Sequence, residues 1–132
     1  MVETHIDDIM HKETSSIVKK LLETVPEAVI QNKLEDRLAE IGINQKQLSL
    51  LTGLREGSIS DFVNGRKINI SKYQLIALMI GLRITDLTDI IDIKFPKETE
   101  EQFKIERENW IRGGVDCIPK ELETHYIRSL EE

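Results

Sequence analysis

Apolar residues along most of the chain recur at intervals of three and four, the spacing that lines one face of an α-helix. Ile6, Ile9, Met10, Ile17, Leu21, Leu22 and Val25 predict a first helix over about 4–24, interrupted at 11–16. Thr24-Val25-Pro26 ends it, and proline suits the first turn of the next helix, where its missing N–H costs nothing. Ile30, Leu34, Leu38 and Ile41 predict a second helix over about 26–40, closed by Gly42. Asn44 is a good N-cap, and Gln47 three residues on completes the pattern of a capping box. The short helix that follows, over about 45–52, turns Leu48 and Leu51 inward and ends at Gly53. The next, from about Glu56 to Val63, has Ile59, Phe62 and Val63 on its apolar side, and Asn64-Gly65 stops it.

Ser71 with Gln74 predicts another box-capped helix, in which Leu75, Ile76, Leu78 and Met79 pack and which Gly81 ends. Thr85 is read as the cap of a fifth helix of this central set, with Leu87, Ile90 and Ile91 inside. Lys94-Phe95-Pro96 reads as a linker. A highly charged helix over 97–112 follows, anchored by Phe103, Trp110 and Ile111 and broken at Gly113-Gly114. Pro119 opens a last helix with Leu122, Tyr126, Ile127 and Leu130 in a stripe. Alternating β-branched runs are short, so the expected class is all-α. The chain divides into an N-terminal helix (1–25), a central helical domain (26–93) and a C-terminal helical extension (94–132).

The central pair has a specific form. Two short helices, about 45–52 and 56–63, flank Gly53-Leu54-Arg55, and glycine at the corner accepts positive φ without a Cβ penalty. The stretch Asn44-Gln45-Lys46-Gln47-Leu48-Ser49-Leu50-Leu51-Thr52-Gly53-Leu54, continued by Ser58-Ile59-Ser60-Asp61-Phe62-Val63-Asn64-Gly65-Arg66-Lys67, resembles the helix-turn-helix of Cro/C1-type (XRE family) transcriptional regulators. The likeness spans roughly 28–93. It implies a five-helix lambda-repressor-like DNA-binding domain whose second motif helix enters the major groove. Three positions depart from the usual pattern: Ser49 stands where alanine is common, Leu50 where a polar residue is, and Val63 where many members carry glutamate.

The resemblance also assigns roles. Gln45, at a helix N-terminus, is expected to meet a phosphate. Asn64, Arg66 and Lys67 are expected on backbone phosphates at the far side. Arg55, Glu56, Gly57, Ser58 and Asp61 fall at base-reading positions, and Ser60 at backbone or base. Arg55 suits guanine O6/N7, while Glu56 or Asp61 would accept from cytosine N4.

Charge qualifies this picture. The 132 residues carry 18 basic and 24 acidic side chains, a net of −6, which opposes phosphate binding. The excess acid lies in the flanks, whereas 44–72 sets Lys46, Arg55, Arg66, Lys67 and Lys72 against Glu56 and Asp61. The proposed reading segment is therefore locally basic. The acids on its reading face disfavour indiscriminate binding and favour selectivity.

Other chemistry is sparse. His5 and His11 are six apart and point to different helix faces; Asp7 and His11 are four apart on what reads as a solvated face. Cys117 has no nearby histidine in sequence, and Gly113-Gly114 lacks the Lys-Ser/Thr of a phosphate loop. No catalytic constellation, cofactor or metal is expected. The acidic start of the chain has no signal-like apolar run, no stretch approaches a membrane span, and the lone cysteine fits a cytoplasmic protein. The expected partners are double-stranded DNA, a second copy of the chain and a regulatory protein on the flanking helices. The expected function is sequence-specific regulation, as a repressor, of bacterial, phage or mobile-element genes. The competing reading is a protein-interaction module, an antitoxin or antirepressor that keeps the helix-turn-helix but not the DNA.

Overall fold

The computed structural model describes residues 1–5, 16–65 and 70–131. The chain is mainly helical, and among the described residues it also holds one small antiparallel sheet. Strand β1 (Val2–His5) is followed by helix α1 (Ser16–Glu23) and strand β2 (Val29–Asn32). Helices α2 (Leu34–Ile41), α3 (Gln45–Thr52), α4 (Glu56–Asn64) and α5 (Lys72–Leu82) form the middle of the chain. A 3-10 turn at Leu87–Asp89 leads into β3 (Ile91–Lys94), then α6 (Lys97–Gly113) and α7 (Lys120–Glu131). The sheet order is β1-β2-β3, with Val2 and Ile91 on either side of Asn32.

The strands correct four expectations. The helix expected over 4–24 is a strand at its start and a helix at Ser16–Glu23; Ile6, Ile9, Met10, Asp7 and His11 lie outside the described residues. The helix expected from 26 starts only at Leu34. Pro26 instead begins a turn in which the Ala28 N–H donates to the Val25 carbonyl at 3.2 Å, proline's fixed φ serving the turn. The spacing of four from Ile30 to Leu34 spans a strand and the first helical residue, where periods of 2 and 3.6 coincide. Thr85 caps no helix: the Asp86 carboxylate takes the Thr88 N–H at 3.0 Å, the 3-10 turn closes, and the chain extends into β3. Lys94, read as linker, ends that strand. Its ammonium lies 3.1 Å from the Asp92 carboxylate, a contact that holds this carboxyl below its ordinary pKa.

The core lies where α2–α5 meet the sheet. Leu34, Leu38, Leu48, Ile59, Leu78 and Ile90 are all essentially enclosed. Fully burying one such side chain contributes about 1.5–3 kcal/mol. Leu51, expected inside, is 66% exposed. Its neighbour Thr52 takes the close approach to α5: a Cβ placed on Gly81 would sit 3.0 Å from Thr52 Cγ2. Gly81 is thus a contact point within α5 rather than its end, and the helix stops at Arg83 in the left-handed conformation. Ile76, expected to pack, is half exposed.

Helix α6 runs from Lys97 to Gly113 with none of its residues buried, and Phe95 meets Phe103 edge-on at 6.0 Å between ring centroids. Among the described residues no helix is long and apolar enough to cross a membrane.

Candidate nucleic-acid interface

Local hydrogen bonds build the α3–α4 pair. The capping box is present in full: the Gln47 N–H donates to Asn44 Oδ1 at 2.8 Å, and the Asn44 N–H donates to Gln47 Oε1 at 2.9 Å. At the corner, Gly53 has φ 77° and its N–H closes on the Ser49 carbonyl at 2.8 Å. Two side chains fasten the turn. The Ser49 hydroxyl donates to the Leu54 carbonyl, and the Thr52 hydroxyl donates to the Leu48 carbonyl at 2.8 Å while accepting from the Leu54 N–H at 3.3 Å. Alanine at 49 has no hydroxyl to reach across, which gives the serine there a structural purpose.

Ile59, Phe62 and Val63 bury one side of α4. The opposite side carries Gly57, Ser60, Asp61 and Asn64, with Arg55, Glu56 and Ser58 at its N-terminal end. Arg55, Glu56, Gly57, Ser58 and Asn64 are exposed, and Ser60 and Asp61 are half-buried. A Cβ on Gly57 would meet nothing within 4 Å, so the chain's own packing does not require glycine there. Ser58 and Asp61 border a depression of about 100 Å³ between α4 and α5, which Gln74 also lines.

Three candidate side chains, Gln45, Ser60 and Asn64, are already engaged. Asn64 Nδ2 folds back on its own helix, donating to the Ser60 carbonyl at 3.0 Å and to Ser60 Oγ at 3.3 Å. Half-buried Gln45 donates its amide N–H to the Glu35 carboxylate. An acid therefore stands at the α3 N-terminus, where a phosphate contact was expected. Arg66 and Lys67 lie outside the described residues. The structure thus brings Arg55, Glu56, Gly57, Ser58, Ser60, Asp61 and Asn64 onto one helix and sets Gln45 on its partner.

The sequence reading did not single out Asn32 or Tyr73. Asn32 is buried and donates from Nδ2 to the Phe62 carbonyl at 3.0 Å, thirty residues away; no local pattern signals such a bond. Tyr73 is 73% exposed at the α5 N-terminus, its ring 5.5 Å from the Lys72 ammonium. The signal for Tyr73 was an aromatic next to a lysine in the first turn of a capped helix.

Comparison with family models, with curated proteins and with solved structures finds no match to the chain.

Proposed function

We propose that this chain is a sequence-specific DNA-binding regulator of the Cro/C1 type. In this reading it is a repressor of bacterial, phage or mobile-element genes and reads the major groove with α4. The observation that carries the reading is the outer face of α4. One side of the helix is fixed in the core, while the other presents short polar side chains and a glycine on a corner stapled by Gly53, Ser49 and Thr52. A helix so mounted fits a groove about 12 Å wide. The five-helix domain of that class corresponds here to α2–α5 and the 3-10 turn, with the sheet as an addition.

The roles follow from position. Arg55 and Ser58 address base edges, Glu56 and Asp61 reject bases that offer them no donor, and Gln45, Asn64, Arg66 and Lys67 anchor phosphates. No cofactor enters this activity. Two half-sites related by a two-fold axis need a second copy of the chain. The exposed Ile111, Val115, Ile127 and Leu130 of the C-terminal region support self-association there.

A second reading has its own observation. Leu50 and Leu51 are adjacent and 78% and 66% exposed, an apolar pair suited to a protein partner. On that reading the chain is an antitoxin or antirepressor that keeps the fold and meets protein instead of DNA.

Duplex binding by three variants separates the two readings. Arg55→Ala and Ser58→Ala relax base preference, costing about 1–3 kcal/mol on the preferred site only. Lys67→Ala weakens all sequences alike and lowers the salt slope by about one. Equal behaviour of the three overturns the assignment of the reading face.

A further inference from the structure

We propose that Asn32 is a positioning residue for α4, setting the angle at which the helix meets DNA; the proposal rests on the DNA reading above. The Asn32 side chain is 6% exposed among apolar neighbours, and one amide serves two helix ends. Its Nδ2 donates to the Phe62 carbonyl in the last turn of α4 at 3.0 Å. Its Oδ1 accepts the N–H of Leu34, the first residue of α2, at 3.1 Å. The Leu34 N–H is a group that a helix leaves without a partner of its own, and the Phe62 carbonyl otherwise takes the Gly65 N–H at 3.4 Å. The chemistry of the partners also fixes the amide's orientation, since a carbonyl needs the nitrogen and an N–H needs the oxygen.

The peg is rigid because of where it stands. Asn32 belongs to the central strand, with Val2 opposite it on β1 and Ile91 on β3. A second close approach of sheet and helix exit lies nearby. Gly65, just past α4, has φ 71°, and a Cβ there would come within 2.6 Å of Thr4 Oγ1 on β1. Adjacent strands therefore meet the exit of α4 at two places, by a hydrogen bond from Asn32 and by the close approach of Thr4 to Gly65. Ile59 and Phe62 alone could slide or rotate in an apolar core. A hydrogen bond to one named carbonyl fixes rotation and advance along the axis. Base reading through paired hydrogen bonds depends on that placement, whereas phosphate attraction tolerates small displacements. Asn32 thereby governs discrimination more than overall affinity.

Asn32→Ser tests this in the full chain. Serine keeps an oxygen near the Leu34 N–H but is too short to reach the Phe62 carbonyl. Two quantities are measured: amide hydrogen exchange at 62–65 without DNA, and affinity for the duplex that the unaltered protein selects against a scrambled duplex of equal length. The expected result is faster exchange at 62–65 with α5 unchanged. With it comes a loss of about tenfold on the selected duplex and less than about twofold on the scrambled one. A folded variant with an unchanged ratio of the two affinities, or with unchanged exchange at 62–65, overturns the proposal. If Asn32→Ser does not fold, Asn32→Asp, which keeps the length and the acceptor, undergoes the same measurements. If the unaltered protein selects no duplex, the DNA reading fails and the role in reading fails with it. The exchange measurement then still decides separately whether Asn32 holds α4.

Discussion

Gln45 and Glu35 place an amide and a carboxylate together at the N-terminus of α3. A phosphate arriving there gains from the helix dipole and the amide but meets the carboxylate. At near-surface dielectric, opposition between two unit charges a few ångströms apart is worth roughly a few kcal/mol before salt screening. Glu35→Gln removes the charge and keeps the shape. It is expected to tighten duplex binding about three- to tenfold at low salt, with the gain shrinking as salt rises. Unchanged affinity measured by fluorescence anisotropy would show that Gln45 meets no phosphate. The place of Gln45 directly after a helix cap was legible in the sequence. Its acidic partner was not, since Glu35 lies on another helix, ten residues earlier. Asn64 shows the same limit in a milder form: its place at a helix end was readable, but its fold-back onto Ser60 was not.

Legibility among the elements follows the range of the interactions that make them. Both capping boxes, at Asn44–Gln47 and Ser71–Gln74, were readable because each closes over three residues. The strands were not: β1 pairs with β2 across more than twenty residues, and β2 with β3 across about sixty. Each strand has four residues, too few for alternation to stand out from a helical pattern. Leu51 misled because spacing predicts that one side of a helix is buried without saying how wide the covering neighbour is. The sheet nonetheless has a direct bearing on α4, as Gly65 shows. Gly65→Ala is expected to cost about 1–2 kcal/mol through the left-handed backbone alone, with the crowding against Thr4 added. Thr4→Ala in the same chain should recover the crowding part and leave the backbone part. Thermal unfolding of the two variants measures both, and a Gly65→Ala protein as stable as the original would show that β1 does not brace the helix.

Across the molecule the charge is divided, with the acid concentrated before and after the segment that carries α3 and α4. The C-terminal helices present Ile111, Ile127 and Leu130 to solvent, which favours their use between copies. Two copies related by a two-fold axis would offer two α4 helices to one face of a duplex, about one helical turn, roughly 34 Å, apart. Such an assembly leaves a readable trace in the DNA it prefers. Selection from a random duplex library by the full-length chain measures this directly. The proposed function predicts recovery of one palindromic sequence with half-sites about 10 base pairs apart, bound with an affinity that falls steeply as salt rises. A library that stays random after repeated rounds at low salt would contradict it and leave α3 and α4 as a surface for protein.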